Sequence, residues 1–333
     1  MKTRFAFAGF RHGHITALYE KVKKHSSCEL VAACEEDADA RKNASENWKI
    51  SLTHDSFARM MQETDFDVLA VGDYYGKRGQ LVIAALNAGK HVISDKPICT
   101  SLSELDEISR LACGRNLKIG CMLDLRENPG MCAARQYIAS GQLGSVHAIS
   151  FGGQHPLLLG TRPGWYFEAG KHGGTINDIA IHGLDMAEWL TGMEISDLVA
   201  ARTWNAFADQ CPHFKDSAQL MVKLSNGCGV IGDVSYASPD SFGYRLPFYW
   251  RLTVWGRLGV MEINSVSHEV KVARNGMDSM ESLPPARAEI DYLDAFLDDL
   301  AGKAPVLNTQ HILNISRKSL ALQKKAGAYS LPG

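Results

Sequence analysis

Short apolar runs and stretches of helical spacing alternate along the first third of the chain. Phe5 to Gly9, Leu30 to Cys34, Val68 to Val71, His91 to Ser94 and Leu117 to Met122 read as strands. His14 to Lys24, Asp55 to Glu63, Gln80 to Ala88 and Leu102 to Cys113 read as helices, the third closing on Gly89. Strand, helix, strand in repetition forces parallel pairing, because each crossover helix returns the chain to the same edge of the sheet. The pattern predicts a doubly wound domain over residues 1–122.

Past residue 123 the texture changes. "AQLMVKL", "GVIGDVSY", "RLTVWG" and "EVKVA" alternate apolar with polar positions, as strands with one buried face do. They predict an α+β domain over 123–333 built on an open, mainly antiparallel sheet. Helical spacing over Asn308 to Lys325 predicts a last helix that packs back against the body. No internal repeat or low-complexity linker breaks this organisation.

Composition narrows the partners. The chain has 333 residues, 45% hydrophobic, enough for two buried cores. With 35 Lys plus Arg against 37 Asp plus Glu and no long run of one sign, neither nucleic acid nor membrane is the expected partner. A small molecule fits better. The eight scattered cysteines include no CxxC pair and read as reduced, mostly buried thiols. The N-terminal apolar run is too short for a signal-peptide core, and no run of about eighteen apolar residues occurs, so the expected location is the cytoplasm.

Between the first strand and the first helix lies "GFRHGH", where a dinucleotide-binding enzyme keeps its phosphate loop. Gly9 keeps the first glycine of the fingerprint. Arg11 fills the second slot and His14 the third, while Gly13 lies one residue early. Two readings stay open: an Arg11 side chain that swings outward beside the pyrophosphate, or a domain that has stopped binding nucleotides. Glu35 ends the second strand about 20 residues past the loop, where a carboxylate accepts ribose hydroxyls and repels a 2'-phosphate. Glu36 and Asp37 follow, and no base intervenes before Arg41. NAD is therefore preferred over NADP.

Lys96 projects from the carboxyl end of the fourth strand of this series, and Pro97 restricts it to extended backbone; a cis bond would bend the chain there. In "GGTINDIAIHGLDMAEWL", a helix would set Asp178 and His182 one turn apart, with Asp185 and Trp189 continuing the stripe. A carboxylate beside an imidazole fixes its tautomer and raises its basicity, as a general base needs.

Together these motifs resemble the glucose-fructose oxidoreductase, inositol dehydrogenase and rhizopine-catabolism (Gfo/Idh/MocA) oxidoreductases, over nearly the whole chain. "AALNAGKHVISDKP" is similar to that family's helix, strand and Glu-Lys-Pro signature with Asp95 for Glu. "YIASGQLGSVHAISF" is similar to its entry into the sheet domain, and "GGTINDIAIHGLD" carries its Asp-x-x-x-His pattern. The resemblance implies a dinucleotide domain, a sheet domain that commonly makes homodimers or homotetramers, and an active site in the cleft between them. It implies that Lys96 orients the substrate hydroxyl, His182 is the acid/base and Asp178 its partner, while hydride passes between nicotinamide and the hydroxyl-bearing carbon of a sugar, polyol or derivative.

The candidate cofactor contacts are Gly9, Phe10, Arg11, His12, Gly13, His14, Glu35, Asp73, Tyr74, Arg78, Asp95, Lys96 and Pro97. "VGDYYGKRGQ" departs from the family's Thr-Pro turn, and its Lys77 and Arg78 are expected on the cofactor or on an anionic substrate group. Arg126 and Asn128, with Arg162 and Trp165, are candidates for the substrate pocket. No metal is expected, because His12 and His14 lack a nearby third ligand. Two rivals to a dehydrogenase stand: a dinucleotide or sugar sensor without turnover, and an enzyme that uses bound NAD transiently for elimination or bond cleavage.

Overall fold

The computed structural model describes residues 2–327; Met1 and 328–333, the outer ends of the two expected domains, lie outside the described residues. The chain forms two compact units. One holds the chain up to Met122 with Gly170–Gly173 and Tyr292–Ser316; the other holds Leu123–Ala169, Gly174–Asp291 and the chain from Arg317.

In the first unit, β1 (Thr3–Ala8), β2 (Cys28–Cys34), β3 (Val68–Val71), β4 (His91–Ser94) and β5 (Ile119–Cys121) make an all-parallel sheet in the order β2-β1-β3-β4-β5. Phe5, Ala6, Phe7 and all of β3 are buried, so successive side chains on both faces leave water. The crossovers carry α1 (Ile15–Lys24), α2 (Ala38–Glu46), α3 (Phe57–Glu63), α4 (Tyr75–Asn87) and α5 (Leu102–Arg115). Strand order reverses beside β1, and such a reversal opens a crevice at the carboxyl ends of the strands. Register brings the right residues there. Ala8 pairs with Cys34 and with Val71, and Val71 with Ser94. Gly9, Glu35, Gly72 and Asp95, one residue further on, therefore share one rim.

Two helices differ from the sequence expectation. α4 begins at Tyr75 rather than Gln80, because its first turn is organised by a buried Arg78 that carries no apolar period. α2 has no expected counterpart, since only Ala44 of its nine residues is buried. It is held by Asp37, whose side chain accepts from the Ala40 N–H at 2.9 Å.

The second unit contains α6 (Pro129–Ala139) and an eight-stranded sheet: β6 (Val146–Pro156), β7 (Ile195–Trp204), β8 (Ser217–Leu224), β9 (Gly229–Ser238), β10 (Trp250–Gly256), β11 (Gly259–Asn264), β12 (Val270–Arg274) and β13 (Glu281–Leu283). Its order is β13-β12-β11-β10-β6-β9-β8-β7, antiparallel at every pairing except β6 with β9. Along β8, Ala218, Leu220, Val222 and Leu224 are buried while Gln219, Met221 and Lys223 face out. The inner face receives α7 (Ile181–Thr191), buried from Ile181 to Leu190. Contact is close because Phe151 lies against two glycines: a Cβ on Gly183 or Gly232 would stand 2.2 or 2.3 Å from its ring.

The described residues end in α8 (Tyr292–Leu300) and α9 (Thr309–Gly327). α8 brings Phe296 onto β5 at Gly120, and the Thr309 hydroxyl accepts the Ile119 N–H at 2.9 Å. Among the described residues no helix is long and apolar enough to cross a membrane.

Candidate active site

At the rim of the parallel sheet the loop after β1 needs glycine at one place. Gly9 has φ +83°, and a Cβ there would lie 2.5 Å from the Cβ of Asp73. His14 has φ −58°, and Arg11 is absent from the positive-φ residues, so the two substituted slots use backbone open to any side chain. Arg11 turns aside, its guanidinium 3.2 Å from Asp37 and over the Tyr74 ring at 5.6 Å. Gly13 has room, since a Cβ there would stand 3.7 Å from the Trp48 ring. Phe10 is buried against Phe7 and Tyr19, which anchors the loop to the core.

Glu35 is tied to that loop. Its carboxylate accepts the Phe10 N–H at 2.5 Å and the Asp37 N–H at 2.8 Å. Burial raises its pKa, and the two amides work against that rise. Its neighbours are matched with cations: Lys77 lies 2.8 Å from Glu36 and 3.0 Å from Asp73. Burial opposes the charge on Lys77, but the two carboxylates outweigh it and hold its pKa above the ordinary value.

Arg78, expected to reach a ligand, is fully buried and engaged with the protein itself. Its guanidinium donates to the carbonyls of Asp73 at 2.7 Å, Lys96 at 2.5 Å and Pro97 at 3.2 Å, and to the Asp95 carboxylate at 2.8 Å. It fixes the turn in which Lys96 and Pro97 are joined by a cis peptide bond. Lys77 is likewise committed to two carboxylates. These residues shape the rim; they do not offer free cations to an anionic group.

Asp95 also meets the loop. His12 Nδ1 is hydrogen-bonded to Asp95 Oδ2, and His12 Nε2 lies 3.3 Å from the Tyr75 hydroxyl. Burial pushes the His12 pKa down to about 3 against the pull of Asp95, so the ring is neutral. Burial would raise Asp95, but Arg78 and His12 outweigh it and hold its carboxyl well below the usual range. His14 Nδ1 lies 3.7 Å from Asp95 Oδ1. A carboxylate able to serve as a third ligand, not expected from the surroundings of the two histidines in the chain, therefore lies beside them, brought from the end of β4 by the strand register.

In the second unit, "GGTINDIAIHGLD" is not one regular α-helix. A π turn over Ile176–Ala180 precedes α7, so residues before it are rotated relative to those after. The expected single stripe divides. Asp178 accepts a hydrogen bond from the Tyr236 hydroxyl of β9, and the His182 ring meets Trp250 of β10 edge-on at 5.7 Å. Burial, then the Asp178 charge, holds the Tyr236 pKa well above its ordinary value. Asp185 instead receives Arg126, at 2.9 and 2.6 Å.

Two substrate candidates thus serve the fold. Arg126 is a buried ion-pair partner of Asp185. Asn128 caps α6, accepting from Gly130 and Met131 and donating to the Ser265 carbonyl at 2.8 Å. Arg162 lies over Tyr166 and Tyr236 at 4.6 and 5.1 Å, with its guanidinium on the Leu157 and Pro156 carbonyls. Trp165 stacks on Tyr166 at 4.1 Å. Sequence reasoning missed Tyr236 and His155, whose ring packs among Tyr236, Tyr244, Tyr249 and Trp250. The available signal was a phenol at the inward end of "GVIGDVSY".

Two family models match successive parts of this chain. Residues 3–121 match the oxidoreductase family with NAD-binding Rossmann fold, and 131–262 match the GFO/IDH/MocA C-terminal domain. The chain belongs to the Gfo/Idh/MocA oxidoreductases. Within this family it is 25% identical to inositol 2-dehydrogenase 2 of Saccharopolyspora erythraea, over 86% of the chain and 77% of that protein. It is 27% identical to levoglucosan dehydrogenase of Pseudarthrobacter phenanthrenivorans, over 44% of the chain and 38% of that protein. An oxidoreductase structure from Erwinia carotovora atroseptica superposes with a TM-score of 0.87 at 24% identity, over 98% of this chain and 99% of that one. That likeness concerns the fold.

Proposed function

We propose that the chain is an NAD-dependent dehydrogenase of a sugar, polyol or derivative, active as a homodimer or homotetramer. The observation that carries this reading is the placement of His182, a buried imidazole beside Trp250, at the start of α7, directly after the π turn that sets Asp178 against Tyr236. His182 takes the proton of the substrate hydroxyl as the carbon is oxidised and returns it in the reverse direction. Asp178 stabilises the charged imidazole, and the Tyr236 hydroxyl holds Asp178 in place. Lys96 orients the substrate hydroxyl.

The rim of the first unit fits NAD. Gly9 keeps the tight turn, and Phe10 to His14 lead into the amino end of α1, where backbone N–H groups favour an anion. Glu35 uses two of the roughly four acceptor positions of a carboxylate on Phe10 and Asp37, which leaves others for ribose hydroxyls. Glu36 and Asp37 are paired with Lys77 and Arg11, so the charge that disfavours a 2'-phosphate is chiefly that of Glu35. When bound, NAD supplies the hydride acceptor and donor.

Calorimetric titration of nucleotide-stripped protein with NADH and NADPH tests the cofactor, and a polyol and sugar panel read by NADH formation tests the reaction. The expected result is NADH binding that exceeds NADPH binding and weakens in Glu35→Ala, with turnover lost in His182→Ala and Lys96→Ala. Absence of binding to either nucleotide would overturn the proposal.

A further inference from the structure

We propose that His12, His14 and Asp95 form a binding site for a borderline divalent metal ion of the zinc class, at the loop where this chain departs from the glycine fingerprint. One ligand atom from each residue lies within 4.8 Å of the other two. Two imidazoles and one carboxylate are a zinc-type donor set, unlike the all-oxygen sets that suit Mg²⁺ or Ca²⁺. Three protein ligands leave at least one position for water or an anionic oxygen.

The geometry supports this in two independent ways. The first is an unsatisfied acceptor. Asp95 has a side-chain exposure of 0%, and among the described residues its Oδ1 accepts no hydrogen bond; Arg78 and His12 both engage Oδ2. Oδ1 faces His14 Nδ1 across 3.7 Å, too far for a hydrogen bond. With metal–ligand bonds of about 2.0–2.2 Å, two ligands of a tetrahedral zinc stand roughly 3.3 Å apart, so a small movement of His14 closes the gap around an ion. His14 is free to make it, with its side chain 46% exposed.

The second is the outer partner. A ligating histidine normally gives its other ring N–H to an acceptor that fixes the tautomer. If His12 Nδ1 takes the metal, Nε2 carries the proton, and the Tyr75 oxygen stands 3.3 Å away to accept it. The metal then takes the place of the proton between His12 and Asp95, and that proton moves to Nε2, so the neutral ring changes tautomer without losing its proton. Arg78 keeps Asp95 in position from the far side.

The test uses the full chain, stripped with a chelator and free of nucleotide, titrated with Co²⁺ under visible absorption and with Zn²⁺ by calorimetry. The expected result is one ion per chain, Co²⁺ d–d bands without a thiolate charge-transfer band, and displacement by Zn²⁺. His14→Ala and Asp95→Asn, each checked for folding by circular dichroism, should weaken binding at least ~tenfold. Unchanged affinity in a folded His14→Ala, a thiolate band that moves the ion to a cysteine, or no saturable binding by the parent chain would each overturn the site. Because the readout is metal affinity without nucleotide, failure here and failure of NADH binding are separate results.

Discussion

The rim of the parallel sheet and the inner face of the eight-stranded sheet use carboxylates differently. On the rim, ions are cross-paired: Asp73 and Glu36 with Lys77, Asp37 with Arg11, Asp95 with Arg78. On the inner face, Asp178 accepts from the Tyr236 hydroxyl, a neutral donor, while the guanidinium of Arg126 goes to Asp185 one helical turn beyond His182. An acid paired with a buried cation builds structure. An acid held by a phenol is not matched by that donor's charge, which suits the role proposed for Asp178 toward His182.

The largest test of that contrast is His182→Ala. Turnover of the best substrate found in the panel should fall by about 10²–10⁴ with NADH affinity unchanged; parent-like turnover would remove the histidine from the reaction. Next come the structural pairs. Arg126→Ala strands a buried Asp185 and should lower stability by about 3–5 kcal/mol in urea unfolding, with much of the loss recovered when Asp185 is also replaced by leucine. A cost near zero would mean that the pair is not structural.

Gly9→Ala should cost about 1–3 kcal/mol, since the residue is left-handed and a Cβ meets Asp73 at 2.5 Å. It should also weaken NADH binding. Gly13→Ala serves as its control and should stay within about 0.5 kcal/mol, because the nearest atom stands at 3.7 Å. A smaller effect involves pH. Burial, then Lys118, holds the His91 pKa below its ordinary value, so the fold prefers the neutral ring, whose Nδ1 accepts the Lys118 N–H at 2.9 Å. That contribution is complete above about pH 6.5 and is lost as the pH falls below it. Melting curves from pH 7 to 5 should therefore fall less steeply for His91→Asn than for the parent.

Sequence pattern conveyed the scaffold because burial on one or two faces leaves a period in the letters. β3 and β4 lie where their apolar runs predict, and the alternation in "AQLMVKL" matches the burial of β8. Interactions without a period were not legible. Nothing in the letters around Arg78 shows that three carbonyls and Asp95 surround it, and charge alone pointed it at a ligand. α2 rests on a cap rather than an apolar stripe. The pairing of Tyr236 with Asp178 joins residues 58 apart in sequence, and the π turn before α7 changes which residues share a face without changing their spacing.

The return of Tyr292–Ser316 to the first unit has a consequence for the order in which the chain is made. β5 is finished by residues that leave the ribosome much later: Phe296 against Gly120, and the Thr309 hydroxyl that accepts the Ile119 N–H. At about 5–20 residues per second, the nearly two hundred residues between Met122 and Ser316 take roughly 10–40 s to synthesise. Throughout that interval β5 waits without its cover. A fragment ending at Met122 and released from the ribosome should accordingly be cut by protease within β5, and one ending after Ser316 should resist.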